Sequence, residues 1–131
     1  MSTAKFSHEN LIVYQKTIAF IAWAQDLTGQ GGISLTTRDQ FERASNSVAL
    51  NLAEGNGKKS PKDRSRFWQI AHGSALECAA VLDILVARSL RRLDQVEEGK
   101  SMLIEVVSML VTLIDKLDHF DGRLREEPEG A

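Results

Sequence analysis

The chain has 131 residues, with 16 Lys and Arg against 18 Asp and Glu, a net charge of -2 and a pI near 5.9. That length suits one domain with its own core, the charge excludes a polycation that grips nucleic acid through overall attraction, and one cysteine excludes an intrachain disulfide. Nine glycines, two prolines and a 43% hydrophobic content favour helices over a loop-rich or β fold. No charged-then-apolar leader and no unbroken apolar run of membrane length is found, so a cytoplasmic chain without a membrane segment is expected.

Leu11, Tyr14, Ile18, Ile21 and Ala22 recur at helical steps and predict a first helix over residues 8–28, capped by Ser7. Three glycines in "TGQGGISL" interrupt it. Thr37 with Gln40 three residues on forms a capping box for a second helix over 37–54, whose inner face is Phe41, Ala44, Val48 and Leu52, with Gly55 suited to the left-handed position after its end. Ser60, Pro61 and Asp63 then mark the start of a third helix over 61–90, with Phe67, Ile70, Ala71, Ser74, Cys78, Val81, Leu82 and Leu85 inward. Asp94 with Glu97 opens a fourth over 95–119, carrying Leu103, Val106, Val107, Leu110, Ile114 and Leu117. The tail, 120–131, has Gly, Pro and charges without periodicity and is expected to be flexible. Four amphipathic helices with short connections imply an all-α, antiparallel up-down-up-down four-helix bundle filling 1–131 as one domain.

Catalytic constellations are absent from this pattern. None of His8, His72 or His119 follows a glutamate by three, as di-iron bundles require, so no metal and no cofactor are expected. Cys78 has apolar neighbours at helical spacing and no histidine one turn away, which marks a core residue rather than a nucleophile. "GNGKKS" lacks the preceding strand and the spacer of a phosphate-binding loop. The chain reads as a non-enzyme.

Three surface patterns remain. Arg43, Ser47, Asn51 and Glu54 on the second helix, and Arg66, Gln69, Gly73 and Glu77 on the third, lie at helical steps beside the apolar faces. An antiparallel turn near residue 60 would pair Glu54 with Arg66, Asn51 with Gln69, Ser47 with Gly73 and Arg43 with Glu77, either as a device fixing register or as a functional polar seam. Lys58, Lys59, Lys62, Arg64 and Arg66, against Asp63 alone, place positive charge beside Phe67 and Trp68; this suits phosphate contact and base stacking, and equally a solvated loop. Finally, the first helix shows a second apolar stripe, Ile12, Ala19, Phe20, Trp23 and Leu27, and the fourth adds Met102, Ile104, Met109 and Val111. These point to self-association, the alternative being wide inner faces.

With "LIVYQKTIAFIAWAQDLT" and "FERASNSVALNLAEGNGKKSPKDRSRFWQIAHGSALECAAVLDIL", the chain resembles the bacterial four-helix bundle family that includes proteins encoded in intervening sequences of large-subunit ribosomal RNA genes. The resemblance covers about residues 6–117, and its most specific pieces are Arg43-Ala44, Ser47, Asn51 to Gly55, Gly57, Ser60, Arg66-Phe67, Ala71, Gly73-Ser74 and Glu77. It implies assembly as a homopentameric barrel and no enzymatic activity. A related branch, the accessory variability proteins of diversity-generating retroelements, implies RNA or DNA and a reverse transcriptase as partners; those proteins are strongly basic, whereas this chain is slightly acidic. A self-assembling adaptor that binds nucleic acid or a nucleic-acid-processing partner is the leading expectation, and a purely structural oligomer the alternative.

Overall fold

The computed structural model describes residues 5–130, with side chains through His119. A 3-10 turn at Ser7–Asn10 precedes α1 (Ile12–Gly29), α2 (Leu35–Asn56), α3 (Pro61–Ala87) and α4 (Leu93–Gly130), and no strand occurs among the described residues. Each boundary has a local cause. Ser34, not Thr37, caps α2, its hydroxyl accepting from the Thr37 N–H; Thr37 is already inside the helix. Ser60 caps α3 by accepting from the Asp63 N–H, with Pro61 in the first turn, as the sequence there predicts. Gly31 and Gly32 make the α1–α2 turn with φ of 84° and 79°, a region that excludes most side chains.

The expected first helix is split, because Leu11 adopts an extended conformation between the 3-10 turn and α1. Gly55 does not end α2 in a left-handed turn; it lies inside the helix, which closes two residues later at Gly57. In the backbone α4 continues past His119 to Gly130, since Arg, Leu and Glu in "RLREE" are good helix formers and outweigh Gly122. The expected flexible tail, 120–131, falls on positions whose side chains lie outside the described residues.

Pairs that bridge the helices give their directions. Trp68 meets Leu52 and Ser74 meets Ser47, so α2 and α3 are antiparallel about the Ser60 turn. Asp83 meets Lys100, and Ser65 meets Asp118, so α3 and α4 are antiparallel too. Lys16 binds Glu105 and the Trp23 ring lies against Gly99, which sets α1 antiparallel to α4. Among the described residues α1 lies beside α2 and α4 and not beside α3, so α1 and α3 are diagonal. The result is an antiparallel four-helix bundle around one core. Phe20, Phe41, Leu52, Leu82, Leu85, Leu103 and Leu110 are its largest fully buried side chains.

The α1 face that turns inward differs from the one the periodicity selects. Val13, Thr17, Phe20, Ala24 and Leu27 are buried, while Ile18 is 45% exposed. Two apolar stripes compete on this helix, and the larger Phe20 wins the interior, edge-on to Phe41 with ring centroids 6.0 Å apart. On α3 likewise Trp68 is buried, whereas Phe67 is only partly so and Ile70 is exposed.

Candidate functional site: the basic turn and the α2–α3 seam

The α2–α3 turn brings all five basic candidates to one end of the bundle, but in different roles. Arg64 binds the turn to itself, Nη2 donating to the carbonyls of Asn56 at 3.1 Å and Lys58 at 3.0 Å. Its guanidinium carbon lies 5.7 Å from the Trp68 ring centroid, and its Nε is buried without a hydrogen-bond partner. Lys58 and Arg66 share the ring of Phe67, with Nζ 5.1 Å and Cζ 4.8 Å from its centroid. Arg66 also sits 3.9 Å from Asp63, an exposed pair with little energetic weight. Lys59 and Lys62 are exposed and have no ion-pair partner among the described residues.

The polar ladder comes within one residue of the expected register at one rung, and the other rungs do not form. Ser74 Oγ donates to Ser47 Oγ at 2.8 Å, crossing from α3 to α2 one residue from the expected Gly73. The other groups satisfy themselves within their own helices: Asn51 Nδ2 reaches the carbonyl and hydroxyl of Ser47, and Gln69 Nε2 reaches Ser65 Oγ at 3.0 Å. Arg43 and Glu77 line an open groove between α2 and α3 together with Ser47 and Ser74, yet form no ion pair with each other. Glu54 is exposed and does not pair with Arg66. Both charged rungs stand at the solvent edge, where a hydrated charge gains little from a partner.

The predicted interface residues divide as well. Ile12 and Ile104 are 58% and 66% exposed, Val111 is exposed, and Met109 is partly buried. Phe20 and Leu27 are 1% and 3% exposed, so their place in an outer stripe is corrected: they fill the core and offer nothing to a partner. Trp23 is half-buried, its ring laid where a side chain on Gly99 would stand.

Cys78 is buried, and burial first, then the Glu77 charge, push its thiol up to about 12, which leaves it protonated and unreactive near neutrality. Among the described residues no three His, Cys, Asp or Glu side chains group so as to hold a metal ion.

Sequence reasoning passed over Arg91. It is buried, donates from Nε and Nη2 to the Leu27 carbonyl at 3.2 and 2.8 Å, and from Nη2 to the Gly31 carbonyl at 2.7 Å. The Leu27 carbonyl belongs to the last turn of α1, where intrahelical donors run out, and the Gly31 carbonyl to the turn that follows. No local pattern signals this contact, because its partners are 60 and 64 residues away.

The sequence matches the profile of the 23S rRNA-intervening sequence protein family over residues 9–112. The fold is similar to the crystal structure of a protein of unknown function from the S23 ribosomal protein family of Bacteroides thetaiotaomicron, with a TM-score of 0.73 and 20% identity, covering 79% of this chain and 98% of that one. No curated protein matches the chain.

Proposed function

The chain belongs to the 23S rRNA-intervening sequence protein family, and on that premise we propose that it works without catalysis, as a self-assembling bundle whose basic turns bind a polyanion. Five copies closing into a barrel would set five such turns around one rim, multiplying a local charge that the acidic whole conceals. Acting in the cytoplasm, that rim would take RNA or DNA, with a nucleic-acid-processing enzyme such as a reverse transcriptase as a protein partner. The observation that carries this reading is the pair Lys59 and Lys62, exposed and without ion-pair partners among the described residues, at the end where Lys58 and Arg66 flank Phe67. Cations with an aromatic ring between them suit phosphate and base together.

A fluorescence anisotropy titration with a labelled single-stranded oligonucleotide tests it. In about 50 mM salt, where phosphate contacts are strong, the native chain binds, with affinity falling steeply as salt rises. Replacing Lys59 and Lys62 with serine removes most of the binding while helicity and assembly size stay unchanged. Absence of native binding at that salt rejects the polyanion role. It would leave a purely structural oligomer, the reading favoured by Arg64, whose two turn hydrogen bonds need no ligand.

A further inference from the structure

α1 and α3 are apolar on the sides that face away from the bundle as well as on those that face in. Between Ile12 and Gln25 the one charged residue of α1 is Lys16, and it is bound to Glu105 of α4. Ile12, Ile18, Ala19 and Ala22 are left exposed with no charge among them. α3 holds a stretch long and apolar enough to cross a membrane, of which 33% is buried. A helix that is apolar all round is normally covered all round.

The uncovered side of α3 continues onto α4. Gly73, Leu76, Ala80, Asp83 and Ala87 follow one another at helical steps on α3, and Lys100, Ile104, Val107 and Val111 do so on α4. Lys100 Nζ and Asp83 Oδ1, 2.6 Å apart, join the two rows, so they run side by side as one outward seam whose charges neutralise each other. Leu76, Ile104 and Val111 stand exposed along it. Gly73 is in mid-helix, where glycine is disfavoured, and among the described residues nothing lies within 4 Å of where its Cβ would be, so no contact among them calls for it.

We propose that the α3–α4 seam receives α1 of a second copy of this chain. This rests on the self-assembly reading above and names the two faces that would meet. α1 and α3 are diagonal, so the outer side of α1 and the seam face apart and meet only between copies, head to tail. Both helices are antiparallel to α4, hence parallel to each other, and a rotation about an axis along the bundle carries α1 of one copy alongside α3 of the next. In that parallel alignment, setting Ile12 over Gly73 sets Ala19 over Ala80 and brings Asp26 to Ala87 and Arg88. Asp26 and Arg88 are exposed, opposite in charge, and without ion-pair partners among the described residues. The charge complementarity and the open space at Gly73 favour a second copy over an unrelated helix.

Two exposed substitutions block the two faces separately: Ala19→Arg on α1 and Ala80→Arg on the seam. Each variant alone runs as a folded monomer by circular dichroism and light scattering, and an equimolar mixture forms a species of twice the monomer mass, because each supplies the face the other lacks. A mixture that stays monomeric overturns the proposal, as does an Ala80→Arg chain that assembles like the native one; in both cases a native oligomer leaves self-assembly standing. A native chain that is itself monomeric removes both readings. Should either arginine variant unfold, the pair Asp26→Arg and Arg88→Asp decides: each alone weakens assembly roughly five- to tenfold, and the two together in one chain restore it. Failure of that restoration overturns the alignment.

Discussion

The indole N–H of Trp68 donates to the main-chain carbonyl of Leu52 at 3.1 Å, tying the second turn of α3 to the last turns of α2. The ring lies where Gly55 has no side chain, and a Cβ there would fall 2.6 Å from its Cδ1. Gly55 is therefore a close-approach residue that lets two helices converge before the turn. Gly55→Ala is expected to destabilise the bundle by about 1–2 kcal/mol, overpacking outweighing the better helix propensity of alanine. Urea denaturation measures this, with Gly57→Ala as the control: at φ -79° and ordinary contact distances, it should be neutral or mildly stabilising.

Arg91 is expected to matter more than any surface charge. Its removal strips donors from the carbonyls of Leu27 at the end of α1 and Gly31 in the turn after it, and deletes a cation from the negative end of a helix. Arg91→Ala should cost about 2–4 kcal/mol. Arg91→Lys should recover less than half of that, because an ammonium does not reproduce the planar fork. Hydrogen exchange at residues 28–31 should quicken in both variants, and unchanged exchange there would contradict the role.

The buried thiol of Cys78 gives a pH signature. Its pKa is raised in the folded state from an ordinary 9.0 to about 12, so above pH 9 the unfolded chain releases a proton that the folded chain keeps. Stability contributed by this group is intact below pH 9 and is lost as pH rises toward 12, at a slope of up to about 1.4 kcal/mol per pH unit. Cys78→Ala should lose some stability at neutral pH through its small cavity and show a flatter alkaline decline. Thiol reagents at pH 8 should label native Cys78 far more slowly than the urea-unfolded chain.

Strong local chemistry made the α2–α3 hairpin legible. Ser60 and Pro61 start α3 where the sequence marks it, and the expected antiparallel register around that turn lies within one residue of the contact between Ser47 and Ser74. Faces were less legible than helices. α1 is apolar on two sides, so periodicity could not tell that Phe20 enters the core while Ile18 stays at the surface. The same ambiguity exchanged Phe67 for Trp68 as the buried aromatic, and it hid the outer face of α3. Arg64 read as a free cation because its acceptors are backbone carbonyls, which every residue has and no motif marks.

Multi-angle light scattering of the native chain at micromolar concentration bears most directly on assembly. Exposed Ile12, Ile18, Leu76, Ile104 and Val111 should place it at a whole multiple of the 14.5 kDa chain mass, with five copies the number proposed. A single folded species at 14.5 kDa would contradict self-assembly, and with it the multiplied basic rim.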